Sequence, residues 1–188
     1  GLFALDRKKE LPFLPRKIGL ICGRASAAEK DVVENVLRRW PGMSFEIKEV
    51  AVQGSQAVIE VSQALKELAK DDEVDVIVIT RGGGSFEDLL PFSDESLIRL
   101  VATIKTPIVS AIGHEQDCPL LDLVADFRAS TPTDAAKRVV PSLDEEAERT
   151  YLLTQRLKKR INSIIDLEIQ KISALSSRPV LKDPQVLI

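Results

Sequence analysis

Asp75-Val-Ile-Val-Ile-Thr80 runs without a break into Arg81-Gly-Gly-Gly-Ser85. Four consecutive β-branched apolar residues, Val76 to Ile79, read as a strand covered on both faces, which is the habit of a parallel sheet. Three glycines in succession cost backbone entropy and let main chain approach something closely. Ser85 and Phe86-Glu87-Asp88 follow at once, so the loop could open a short helix whose free N–H groups point at an anion. Arg81 adds a planar, forked cation that suits phosphate or carboxylate oxygens. The stretch reads as an anion site at the carboxyl end of a sheet, with a plain tight turn as its rival.

Working outward, the pattern repeats. Lys17 to Cys22 reads as a first strand ending at Gly23, and Ser26-Ala-Ala-Glu29 has capping-box spacing ahead of a helix carried by Val32, Val33, Val36, Leu37 and Trp40. Pro41-Gly42 stops that helix. Met43 to Val52 reads as a second strand, and Gln53-Gly54-Ser55 turns into a helix through Val58, Val61, Leu65 and Leu68. The strand at Val74–Thr80 is third. A helix after Ser93 uses Leu97, Leu100, Val101 and Ile104, and Pro107 to Ile112 is the fourth strand. Alternating strands and helices imply right-handed crossovers, so the fold class is α/β: an open doubly wound parallel sheet of about four strands, in order 2-1-3-4. Ligands of such sheets gather outside the carboxyl ends of the strands, near the switch in strand order. That rule nominates Gly23–Ser26, Gln53-Gly54, Arg81–Ser85 and Gly113–Asp117.

Three stretches divide the chain. Residues 1–16, charged and punctuated by Pro12 and Pro15, read as a linker from a preceding domain. Residues 17–141 form the α/β domain. Residues 142–188 open with Ser142-Leu-Asp-Glu145 and continue without glycine or proline until Pro179, as a long helix and the start of a coiled-coil arm. Its apolar residues, Leu157, Ile161, Ile164, Ile165, Ile169, Ile172 and Leu175, keep three-to-four spacing beside Lys158, Lys159, Arg160 and Lys171. With 188 residues, 44% hydrophobic and 29% charged, the chain has the material for one good core. No apolar run approaches the roughly 20 residues that span a bilayer, so no membrane role is expected. Cys22 and Cys118, without C-x-x-C spacing, read as reduced, partly buried residues of a cytoplasmic protein. A net charge of −3 offers no electrostatic argument for nucleic acid.

The single histidine lies just past the fourth strand in Gly113-His114-Glu115-Gln-Asp117. An imidazole there could pass protons or, as imidazolium, steady charge developing on a phosphate, with Asp117 orienting the ring or acting as base. Asp117, Asp122 and Asp126 invite a metal, since Asp122 and Asp126 stand four apart on one predicted helix face, but the leucines around Asp122 favour capping, solvation or pairing with Arg128. Thr131-Pro132-Thr133-Asp134 starts a further helix, with Thr131 or Thr133 as its cap and hydroxyls able to touch phosphate. Asp31, in the first turns of the first helix, by itself simply complements the helix dipole.

In this order the motifs resemble the large subunit of exodeoxyribonuclease VII. The likeness rests on Leu11-Pro-Phe-Leu-Pro15, Ile18-Gly19, Ala51-Val-Gln-Gly54, Arg81-Gly-Gly-Gly-Ser85 with Glu87-Asp88, and Val109-Ser-Ala-Ile-Gly-His-Glu115 with Asp117. It continues in Ala125-Asp126-Phe-Arg-Ala129 and Thr131-Pro-Thr-Asp-Ala-Ala136. The chain departs from the family's pattern at Cys22-Gly-Arg-Ala-Ser-Ala-Ala28, Leu90 and Lys137. The resemblance implies a nuclease that degrades single-stranded DNA from both ends to short oligonucleotides. No cofactor is required on this reading, and Mg2+ is an option but not essential. It also implies a small partner subunit bound along the coiled-coil arm. Its catalytic residues fall on Asp31, Arg81, His114 and Asp117, and its phosphate contacts on Gly82, Gly83, Gly84, Ser85, Thr131 and Thr133, with no metal ligands. An N-terminal OB-fold and most of the arm are expected to lie outside this chain, leaving it weakly active or inactive alone. The rival reading is a non-catalytic nucleotide- or anion-binding α/β module.

Overall fold

The computed structural model describes residues 1–83, 86–112 and 118–177. They form two compact units, Gly1–Leu143 and the helical remainder from Asp144.

In the first unit five parallel strands are ordered 2-1-3-4-5: β1 Lys17–Gly23, β2 Ser44–Val50, β3 Val74–Arg81, β4 Ile108–Ile112 and β5 Phe127–Arg128. The expected order of four strands holds, and a fifth is added at the edge. β5 is two residues long, too short to carry any alternation that a sequence reading could detect. The helices are α1 Ala27–Arg39, α2 Ala57–Leu68, α3 Glu95–Thr103, α4 Leu120–Val124 and α5 Pro132–Val139.

Alternation along β3 feeds two cores. Ile77 and Ile79 pack with Val61 and Leu65 of α2, Leu97 and Val101 of α3 and Leu121 of α4. Val76 and Val78 face the other way, with Val32 and Val36 of α1 and Ala135, Ala136 and Val139 of α5. Each large side chain fully buried here, Leu65, Ile77 and Leu97 among them, contributes about 1.5–3 kcal/mol of transfer free energy. The helices on both faces explain why the strands read as continuous apolar runs.

Local signals set the helix starts. Ser26 accepts from the Glu29 amide at 3.1 Å, Asp94 from the Ser96 and Leu97 amides, and Thr131 from the Asp134 amide at 3.0 Å. Glu29 does not complete a reciprocal box. Its carboxylate instead accepts a 3.5 Å contact from the Cys22 thiol, which burial and Glu29 together push up to about 12. Cys22 is buried as expected, whereas Cys118 is exposed, because it precedes α4 outside the sheet.

The amino end of the sheet is closed by charge. Arg16 grips Asp75 with Nη2 at 2.7 Å and also donates to the Asp72 carbonyl, and Lys17 lies between Asp71 and Glu73. Asp126 accepts from the Ile108 amide at 2.7 Å and from both the amide and the ammonium of Lys9 at 2.8 Å. Lys8 donates to the Leu123 and Ala125 carbonyls. Residues 8–16 are therefore bonded onto the sheet's amino edge.

The second unit contains most of α6, Leu143–Ser176, 34 residues that rise about 51 Å. No residue of α6 is buried, and Leu157, Ile161, Ile164, Ile165, Ile169, Ile172 and Leu175 are all exposed.

Candidate active site

β3 delivers Arg81 to the carboxyl edge, where the side chain is only 4% exposed. Its Nη2 donates to Asp88 at 2.9 Å, while Nη1 has no hydrogen-bond partner. Nη1 is the one buried side-chain polar atom in that condition among the described residues. A buried donor left unmet costs about 1–3 kcal/mol, so such an atom calls for an explanation. Asp88 lies on a 3₁₀ turn, Phe86–Ser93, that follows the glycine run and is anchored by buried Leu89 and Phe92. Loop and anchor are thus one piece: the glycines let the chain leave the strand, and the turn brings back the carboxylate that holds the guanidinium.

Arg81, Gly82 and Gly83 form one wall of a cleft of about 840 Å³. The β1–α1 loop (Gly23, Arg24, Ser26) and the β2–α2 loop (Ala51 to Gln56) form the rest. Three of the four segments nominated by the strand-order rule therefore share one cleft, at the switch between β1 and β3. The fourth, Gly113–Asp117 with His114 and Asp117, lies outside the described residues, as do Gly84 and Ser85. Ile112, the residue just before that segment, is the β4 partner of Arg81 in register.

Two glycines shape the cleft. A Cβ on Gly23 would meet Val52 Cγ2 at 2.9 Å, so only glycine lets the two loops close there. Gly54 has φ +77, the left-handed region that turns β2 into α2.

The remaining expected residues stand elsewhere. Asp31 is exposed on α1, and its carbonyl accepts from Asn35 Nδ2 at 2.7 Å. Asn35 reaches Thr133 Oγ1 at 3.5 Å, so Asp31 and Thr133 belong to the α1–α5 side of the sheet. Thr131 is spent as the cap of α5. None of these three lines the Arg81 cleft.

Of the carboxylates that invited a metal, Asp122 and Asp126 have structural partners, and Asp117 lies outside the described residues. Asp122 accepts from Ser110 Oγ at 2.5 Å and from Arg128 Nε at 2.9 Å, as the pairing with Arg128 anticipated. Burial still pushes its carboxyl above the usual range, against the opposing pull of Ser110 and Arg128. Asp126 is not on a helix face with Asp122, because α4 ends at Val124 and Ala125 is already extended. Among the described residues no group of three His, Cys, Asp or Glu could hold a metal ion.

Two contributors escaped the sequence reading. Asp88 stood beside the glycine run, but nothing in spacing shows that it turns back onto Arg81. Arg24 fell within a nominated loop, and only the fold brings it to Glu60 of α2, at 3.8 Å.

Fold and cleft together define a doubly wound α/β domain whose strand-order switch carries a cleft walled by a buried, half-paired arginine. A family model described as "Exonuclease VII, large subunit" matches residues 2–188. The chain is 60% identical over all 188 residues to an "Exodeoxyribonuclease 7 large subunit" of Streptomyces griseus, covering 47% of that protein. It is 61% identical over 184 residues to that of Thermobifida fusca, 98% of this chain and 45% of the relative. The counterpart from Corynebacterium glutamicum is 55% identical over 188 residues, again with 45% of its length covered. The chain belongs to the exonuclease VII large-subunit family, and it spans about half the length of the curated relatives it matches.

Proposed function

We propose that this chain carries the phosphodiester-hydrolysing site of an exodeoxyribonuclease that acts on single-stranded DNA from both ends and releases short oligonucleotides. The observation that carries the reading is the half-paired, buried Arg81 at the wall of a cleft at the strand-order switch. A backbone phosphate supplies the acceptor that Nη1 lacks, and the Gly82 and Gly83 amides add neutral donors beside it.

In the reaction a water oxygen bonds to phosphorus, a P–O bond to one deoxyribose breaks, and negative charge grows on the non-bridging oxygens. Arg81 and protonated His114 offset that charge. Asp117 takes the water's proton, and the departing sugar oxygen gains one. No resident cofactor is needed for these steps, and Mg2+ is an accessory rather than a requirement. The alternative of a pure anion-binding module is weaker, because binding alone has little use for a histidine two residues beyond Arg81's strand partner.

The exposed apolar stripe of α6 suits a helical partner, which we assign to the small subunit of the enzyme along a coiled-coil arm, in the cytoplasm. No helix among the described residues is long and apolar enough to cross a membrane.

The test is His114→Ala in the full two-subunit enzyme. Digestion of single-stranded DNA is expected to be lost while circular dichroism and the unfolding midpoint stay at wild-type values. Undiminished digestion by the folded variant would overturn the assignment.

A further inference from the structure

Among the described residues the cleft lies to one side of Arg81. Ile112, which leads to His114, pairs with Arg81 from β4 on one side, while the cleft runs the other way, across the ends of β1 and β2. Two features along this path favour an anion, and a third orders the loop between them. α2, twelve residues long, starts here without any side-chain cap on its first turn. Arg24 projects beside it, 73% exposed, with Glu60 Oε2 at 3.8 Å, too far for a hydrogen bond. That same Glu60 oxygen accepts from the Ala51 amide at 2.7 Å, which ties the start of the β2–α2 loop to α2. The helix end alone would be a weak argument. The independent one is Arg81, a buried cation with an unmet donor lining the same cleft.

The lining also says what kind of ligand fits. Among the described residues the lining has no aromatic side chain and is rich in glycine, serine and main chain. Such a surface takes sugar and phosphate and ignores base identity.

We propose that Arg24 and the N-terminal turn of α2 form a second phosphate subsite, which holds the neighbouring phosphate of the strand whose scissile phosphate lies at Arg81. The inference rests on the hydrolytic reading above and adds a direction: the strand leaves the reacting bond across β1 and β2, away from β4. It makes Arg24 a binding residue and Glu60 the group that ties the β2–α2 loop to the start of α2.

Arg24→Gln in the two-subunit enzyme tests this, with a thymidine oligomer as substrate. KM should rise about fivefold with kcat far less affected, and the salt dependence of kcat/KM should become shallower by roughly one phosphate contact. In single-turnover cleavage of oligomers with one neutral methylphosphonate linkage, wild type should show a penalty at one position beside the cleaved bond. The Arg24→Gln enzyme should lose that penalty. An unchanged KM and salt slope, or a penalty that persists at the same position in the variant, would overturn the subsite.

Failure of the hydrolytic reading would look different, because Arg81→Ala would then cleave like wild type. In that case the subsite is read from fluorescence anisotropy of the same oligomer on Arg81→Ala and on the Arg81→Ala, Arg24→Gln double variant. Weaker binding with a shallower salt slope in the double variant supports the subsite, and equal binding refutes it.

Discussion

The two ends of this sheet follow opposite electrostatic plans. At the amino end every cation that touches the strands has a carboxylate of its own: Arg16 on Asp75, Lys17 between Asp71 and Glu73, Lys9 on Asp126. At the carboxyl end the most deeply buried of these cations, Arg81, has Asp88 for one nitrogen and nothing for the other. The first plan closes the edge and fixes where the strands begin. The second leaves a donor unmet, and that free energy returns only when an acceptor arrives. Stability and ligand capacity are thus set at opposite ends of one sheet, as the rule for open α/β folds leads one to expect.

The largest expected effect breaks this contrast if it fails. Arg81→Ala should lower kcat for single-stranded DNA about 10²- to 10³-fold in the two-subunit enzyme, comparable to losing a donor that meets transition-state charge. Since the variant also removes an unmet buried donor, its urea midpoint should hold or rise. A sharply lower midpoint would mean that Arg81 serves the fold first.

Asp126→Ala is the mirror experiment. It strips the Ile108 amide and Lys9 of a shared acceptor and should cost about 3 kcal/mol of unfolding free energy, with specific activity retained. Loss of activity without loss of stability would blur the division between the ends.

Asp88→Asn sharpens the carboxyl-end plan. The amide can still accept from Arg81 Nη2, but the ionic hold is gone, so cleavage should drop about tenfold through misplacement of the guanidinium. Asp88→Glu, measured alongside, should recover part of the rate.

The smallest effect is a slope. Asp122, buried between Ser110 and Arg128, has its carboxyl raised by burial, so the fold binds its proton more readily than the open chain does. Its contribution to stability is therefore full below the ordinary carboxylate range and is lost as pH rises through the raised value. Urea unfolding from about pH 4 to 7 should show wild type losing stability relative to Asp122→Asn as pH rises. A difference that grows in the other direction would show that Arg128 outweighs burial.

Much of this was legible before any coordinates. The run from Asp75 to Arg81 announced a buried strand, because a β-branched apolar run fits a strand covered on both faces. Ser26 and Thr131 marked helix starts through local chemistry alone. β5 was invisible, since two residues carry no period, and Asp126 looked helical only because four residues from Asp122 suits a helix that in fact stops at Val124.

By itself, then, the sequence determined the element types, the strand order of the first four strands, the family and the arginine that ends the third strand. Those depend on side-chain period, glycine freedom and motif order, all of which are local along the chain. Only the tertiary structure decided that Asp88 holds Arg81, that Arg24 meets Glu60, and that one guanidinium nitrogen is buried without a partner. These facts depend on which loops the crossovers bring to one edge and on how deeply packing buries a charge, and neither is written in spacing.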